Sequence, residues 1–328
     1  MPDPNLPLVV ITDFLDESSV ESPVLENLAH IRLARAWNEA ELAPQIAQAR
    51  VLIVYHDLPH VGITSFNAAP HCRAVVRAGV GYNNIDRAAA AERGIIVCNV
   101  PDYGTEDVAD HALALMLAVA RQMIPCHEAI RLGRWNYHDA IAAPRLRGKQ
   151  LGIVGCGRIG TAMALRARAL GMNITFFDPY AVPGYEKAIG ARRFESLPEL
   201  LQTSDVVSLH CWLDDHTHHL IDNHALGLMK PGAILVNTAR GPIVDQKALL
   251  AALDSGKLLG AGIDVVEVEP LDDDALRAHP RVVLTPHSAF YTREGFIELR
   301  RKTAEEARRI LTGHPPRCPV PPPASLGA

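Results

Sequence analysis

The sequence predicts an α/β protein with two β/α domains, one of them a doubly wound, mostly parallel sheet. Three observations carry this. Apolar runs of strand length alternate with amphipathic runs of helix length along most of the 328 residues, a pattern that places helices on both faces of a parallel sheet. One unit, residues 149–179 (KQLGIVGCGRIGTAMALRARALGMNITFFDP), sets three spaced glycines between a strand and a helix. A separate set of strand and helix signals fills residues 1–104, before that unit begins.

In that first part, residues 8–12 and 51–55 read as strands, and the segment between them, with Val24, Leu25 and Leu28, as helical. Residues 74–76 form a third strand ending in the loop RAGVGYNNID. Residues 87–93 are helical, Gly94 stops them, and residues 95–98 are a strand. Residues 105–121 form a strong helix with Glu106, Asp107 and Asp110 at the positive end of its dipole. Apolar side chains cover so much of it that two readings stand: a central helix buried in one subunit, or a subunit interface. Residues 133–147 (GRWNYHDAIAAPRLR) lack periodicity and read as a connecting loop.

Residues 151–154 have the length and branching of a buried strand. Gly155, Gly157 and Gly160 follow in G-x-G-x-x-G spacing, and an amphipathic helix runs from 159 to 170, with Gly171 as its stop. Gly155 permits the tight turn, Gly157 lets backbone approach a pyrophosphate, and Gly160 lets helix pack on strand. The helix N-terminus offers unpaired amides to the phosphates. Residues 174–177 are the next strand and end on Asp178, placed to hold a ribose diol. No Arg or Lys occupies 179–181 to meet a 2′-phosphate, which favours NAD over NADP. Strand, turn, helix and answering acid together make this a Rossmann-like dinucleotide site. Further strands are expected at 205–209, 233–236, 260–265 and 282–284, with helices at 224–229 and 246–253. A long charged helix runs from Arg293 to about Leu311, and the proline-rich residues 315–328 read as disordered.

Composition narrows the function. Apolar residues make up 48% and charged residues 21%, as in soluble globular proteins. The net charge of −5 argues against nucleic acid as a main partner. The six cysteines are scattered without a C-x-x-C pair, which suggests free thiols in a reducing compartment. No signal peptide is indicated, and the longest apolar run, residues 112–120, is far too short to span a membrane. A cytoplasmic protein is expected. His216, His218 and His219 cluster without partners at zinc spacing, so no metal site is expected.

Ligands of open α/β sheets lie outside the carboxyl ends of the strands. Arg240 follows one strand, Asp264 and then Glu269 the next, and His287 the last. Histidine suits proton transfer at a carbinol oxygen, a neighbouring carboxylate orients the ring, and arginine offers a fork to a substrate carboxylate.

The segment LVNTARGPIVDQKALLAALDSGKLLGAGIDVVEVEP, with TPHSAF after it, resembles the D-isomer-specific 2-hydroxyacid dehydrogenase family. DDHTHHLID, FFDPY and AFYTREGFIELR are most similar to its C-terminal-binding protein branch, which includes corepressors as well as enzymes. The resemblance implies Arg240, Glu269 and His287 as the catalytic set. It places Val80, Arg158, Ile159, Cys211, Thr217, Thr238, Ala239 and Asp264, beside Gly155, Gly157, Gly160 and Asp178, against NAD. It assigns substrate binding to Arg77, Val80, Gly81, Arg240 and Phe290. Phe290 stands where that branch carries tryptophan, which puts a substrate selected by that tryptophan in doubt. No regulatory domain is seen after residue 313, which speaks against the long phosphoglycerate dehydrogenases. The resemblance further implies a discontinuous, flavodoxin-like substrate domain (1–104 and 291–328), an inserted NAD domain (105–290) and a homodimer through the Thr105 helix region. The expected activity is interconversion of a D-2-hydroxy acid and a 2-oxo acid. The alternatives are an NAD(H)-sensing partner-binding protein and a formate- or phosphite-type dehydrogenase of the same fold.

Overall fold

A computed structural model describes residues 4–323. The chain divides into two compact units, Met1–Gly104 with Thr292–Ala328, and Thr105–Tyr291.

Among the described residues the first unit holds five parallel strands: β1 (Leu8–Ile11), β2 (His30–Leu33), β3 (Ala49–Val54), β4 (Ala74–Arg77) and β5 (Ile96–Asn99), in the order 2-1-3-4-5. This is the flavodoxin-like order. The segment read as helical between β1 and β3 is corrected. It holds a short helix, Glu21–Leu25, then β2 and a second short helix, Glu39–Leu42. β2 escaped notice because it is an edge strand whose residues are only partly buried, so no apolar run marks it. One sheet face is packed by Leu42, Phe66, Ala90 and their neighbours. The helix Arg293–Leu311 packs against β3 and β4. Its Arg300 reaches the fully buried Glu21 through two hydrogen bonds of 2.7 Å.

The expectation of disorder after residue 315 is also corrected for residues 315–323; residues 324–328 lie outside the described residues. Pro319 bridges Cys98 in antiparallel fashion. The Val320 amide donates to the Val97 carbonyl at 2.8 Å and the Asn99 amide to the Cys318 carbonyl at 3.2 Å. The returning chain therefore lies along β5, the outer strand of the sheet.

The second unit holds seven parallel strands: β6 (Gln150–Val154), β7 (Asn173–Phe177), β8 (Arg192–Arg193), β9 (Val206–Leu209), β10 (Ala233–Asn237), β11 (Leu258–Ile263) and β12 (Val282–Leu284). Their order is 12-11-10-9-6-7-8. The chain starts at β6 and winds outward both ways, the doubly wound arrangement whose ligand crevice opens where the winding reverses, between β6 and β9. Two cores fill the two faces of the sheet.

The helix Thr105–Ala120 buries Val108, Ala112, Leu115, Met116 and Val119 within this unit, against the helix Arg158–Ala169 and β10 and β11. Glycines in β11 make the close approach possible. A Cβ on Gly262 would lie 2.7 Å from the Leu115 Cβ, and one on Gly260 would lie 2.8 Å from Val119 Cγ1. Exposed apolar residues gather further on, in the helix Met123–Arg131 and the residues after it, among them Met123, Ile124, Ile130, Leu132, Trp135, Tyr137 and Ile141. Among the described residues no single helix is long and apolar enough to cross a membrane.

Candidate active site

β6 delivers the chain into Gly155, whose φ of 86° is left-handed and suits only glycine at low cost. A Cβ there would lie 2.6 Å from the Cys211 amide nitrogen, so a side chain would push β6 away from the end of β9. A Cβ on Gly160 would lie 2.2 Å from the Gly155 carbonyl oxygen. Gly157 differs: nothing lies within 4 Å of its Cβ position. The first and third glycines serve packing, and the middle one leaves open space at the N-terminus of the twelve-residue helix Arg158–Ala169, which Gly157 caps. Arg158 and Ile159 open that helix, where amides lack helical acceptors. Asp178 follows β7. Its Oδ2 accepts from the Cys156 amide at 2.8 Å and its Oδ1 from the Tyr180 amide at 2.9 Å, so the carboxylate is anchored to the glycine loop.

Thr238 and Ala239 follow β10, and Cys211 and Thr217 follow β9. The Thr238 Oγ1 is buried with no hydrogen-bonding partner among the described residues. Buried polar atoms are rarely left so, and a polar ligand would satisfy it. The open space over Gly157 and this orphan hydroxyl both fit a bound dinucleotide. Thr217 Oγ1 donates to the Trp212 carbonyl at 2.8 Å and holds its loop. Burial pushes the Cys156 thiol up to about 11 and the Cys211 thiol to about 12, so neither is a ready nucleophile.

The acid/base candidates stand at the ends of three neighbouring strands, β10, β11 and β12. His287 Nδ1 lies 2.7 Å from Glu269 Oε2, and Glu269 Oε1 accepts from the Val266 amide at 3.2 Å. His287 adopts a left-handed φ of 52°, uncommon for a residue with a side chain and often found at functional sites. Asp264 holds it there. The Asp264 carbonyl accepts from the His287 amide at 2.7 Å. Its buried carboxylate accepts from the Ser288 amide at 2.9 Å, the Ala289 amide at 3.0 Å and the Thr285 hydroxyl at 2.6 Å. His111, from the helix Thr105–Ala120, meets the same hydroxyl at 2.8 Å. The threonine proton is committed to Asp264, so His111 Nε2 is the donor in that contact. Phe290 presents its ring edge-on to His287, with centroids 6.1 Å apart.

Arg240 turns out of β10 with its carbonyl accepting from Asn237 Nδ2 at 2.9 Å, and its guanidinium donates to the Ala239 carbonyl at 2.6 Å. A Cβ on the next residue, Gly241, would lie 1.8 Å from the Val266 carbonyl oxygen. The arginine turn is thus packed directly on the segment that carries Glu269. Arg77, Val80 and Gly81 belong to the other unit. There the Arg77 guanidinium bonds the Ala78 carbonyl, and the Val80 carbonyl accepts from Asn99 Nδ2 at 2.6 Å.

Two features of this rim escaped the reading of the sequence. His219 Nε2 pairs with Glu267 Oε1 at 2.6 Å, and the Tyr180 ring packs against Trp212 at a tilt of 39°, 4.7 Å between centroids. Both join residues far apart along the chain, and no spacing rule signals them.

Residues 113–289 match the family model described as D-isomer specific 2-hydroxyacid dehydrogenase, NAD binding domain. The chain belongs to the D-isomer specific 2-hydroxyacid dehydrogenase family. A D-3-phosphoglycerate dehydrogenase of Methanocaldococcus jannaschii is 36% identical over 93% of this chain and 57% of its own length. C-terminal-binding protein 1 of Caenorhabditis elegans is 35% identical over 97% of this chain and 44% of its own. The chain therefore spans about half the length of these curated relatives. Among solved structures, a glyoxylate reductase from Paecilomyes thermophila superposes with a TM-score of 0.89 at 30% identity, covering 97% of this chain and 99% of that one. The unit Thr105–Tyr291 thus contains the NAD-binding domain of this dehydrogenase family.

Proposed function

We propose that the protein is an NAD-dependent oxidoreductase interconverting a D-2-hydroxy acid and a 2-oxo acid, of the glyoxylate or hydroxypyruvate type or larger. The observation that carries this is the His287–Glu269 pair at 2.7 Å on the same strand-end rim as the glycine loop. Gly155, Gly157, Gly160, Arg158, Ile159, Asp178, Cys211, Thr217, Thr238, Ala239, Asp264 and Val80 are the residues assigned to NAD. When bound, the nicotinamide supplies or accepts the hydride.

The chain's own part is the proton and the charge. Glu269 holds Nδ1 of His287 and fixes the ring's orientation, so Nε2 is the nitrogen that exchanges a proton with the substrate oxygen. In reduction it gives that proton to the forming hydroxyl; in oxidation it takes it. Arg240 brings a rigid fork to the substrate carboxylate and polarises the carbonyl. Substrate binding is assigned in this reading to Arg77, Val80, Gly81 and Phe290 as well. Residues 1–104 and 291–328 serve as substrate domain and 105–290 as NAD domain. A homodimer through the Thr105 helix region belongs to this reading, and the exposed apolar residues of 123–141, just after that helix, support it.

A panel of 2-oxo acids with NADH tests the assignment. Glyoxylate, hydroxypyruvate or a larger 2-oxo acid should be reduced, and His287→Ala should lower the rate by about 10²–10⁴-fold. An undiminished rate removes His287 from its role. Tight NADH binding without turnover of any panel member favours the partner-binding reading that the C-terminal-binding protein resemblance raises.

A further inference from the structure

We propose that His219 is a positioning residue for the Glu269–His287 pair, acting through Glu267; this rests on the catalytic reading of that pair. His219 lies in the loop after β9 and touches both neighbouring strand-end segments that carry chemistry. Its amide donates to the Pro242 carbonyl at 2.8 Å, two residues past Arg240. Its Nε2 meets Glu267 Oε1 at 2.6 Å, two residues before Glu269.

The rest of the segment is built to keep it there. Ile221 forms a parallel bridge with Val244, and its amide donates to the Ile243 carbonyl at 3.0 Å. The His219 backbone is left-handed, with φ of 50°, a conformation that turns the imidazole back toward the rim at a cost in backbone strain. The His218 ring stacks against it at 4.1 Å. Glu267 also accepts from the Gln246 amide at 3.4 Å.

The link to the chemistry is short. Val266, adjacent to Glu267, donates its amide to Glu269 Oε1, and the other oxygen of Glu269 holds His287 Nδ1. The Val266 carbonyl sits where a side chain on Gly241 would have to go. Glu267 therefore fixes the stretch from which Glu269 hangs, and His219 fixes Glu267. The His219 and Glu267 side chains are 38% and 29% exposed. A pair so close to solvent adds little to folding, so its value lies in placement.

The test compares His219→Ala, His219→Gln, Glu267→Ala and the double alanine variant. His219→Ala should lower kcat for 2-oxo acid reduction by about 10–100-fold, the scale of small misplacements at a reacting centre, and leave NADH binding unchanged. His219→Gln, whose amide can still donate to Glu267, should recover most of that rate. The double variant should lose no more than either single one. In protein with ¹⁵N-labelled histidine, the downfield Nδ1 proton resonance of His287, assigned by its loss in His287→Gln, should move upfield in His219→Ala and return in His219→Gln. An unmoved resonance, additive losses or no recovery with glutamine each overturn the proposal. The resonance needs no turnover. A protein silent toward every 2-oxo acid would sink the functional reading, while the resonance still decides for or against His219.

Discussion

At the scale of single residues, the Asp178 carboxylate accepts the Cys156 and Tyr180 amides, and in the proposed function its charge would also meet a ribose hydroxyl or a 2′-phosphate. Asp178→Asn keeps an oxygen acceptor and removes the charge. The expected outcome is a gain of about ten-fold or more in the NADP to NAD ratio of kcat/KM, one charge repulsion of about 1.4 kcal/mol. Equal use of both cofactors by the unmodified protein would show that Asp178 does not select. Asp178, Arg240, Glu269 and His287 were readable in the sequence because each follows a strand signal directly or by a few residues. His219, Glu267 and His111 were not. Their meaning lies in contacts across 48 and 174 positions of chain, which no local pattern encodes.

At the scale of elements, β11 and the helix Thr105–Ala120 depend on glycines that clear a path. Gly262→Val should destabilise the protein by about 1–3 kcal/mol through overpacking against Leu115, read as a lower midpoint in urea. A silent substitution would mean the helix can retreat. Asp205, just before β9, accepts from the Gln150 amide at 2.8 Å and from Lys230 at 2.9 Å. Burial works to raise its pKa, but these partners outweigh it and hold the group below the usual aspartate range. A group depressed in the folded state stabilises above its unfolded pKa, near 3.9, and loses that stabilisation as pH falls toward the folded value. Asp205→Asn should therefore melt lower than the unmodified protein at pH 7. The gap should close as pH drops below about 4; a gap constant with pH would assign the effect to packing instead. Ten strands were legible from apolar runs. The two missed, β2 and β8, are edge strands, and β8 is only Arg192–Arg193; an edge exposes its residues and needs no apolar run.

At the scale of the whole molecule, the chain forms two units with the 2-1-3-4-5 and doubly wound orders, and the alternation of strand and helix signals was enough to foresee both as α/β. Alternation says nothing about what covers an exposed surface. Trp135, Tyr137 and Ile141 are 90%, 84% and 81% exposed, a concentration of apolar surface typical of contact regions. Sedimentation should find a dimer, and Trp135→Glu with Ile141→Glu should convert it to monomer. A monomer at the outset would send the search for this surface's role elsewhere.

The returning segment beside β5 carries a consequence for handling the protein. Stripped of residues 318–320, the sheet of the first unit would present a bare row of amides and carbonyls, an open template for strand addition by any neighbouring chain. Proteolytic trimming near that point would thus yield a species that keeps Arg240, Glu269 and His287 and yet precipitates.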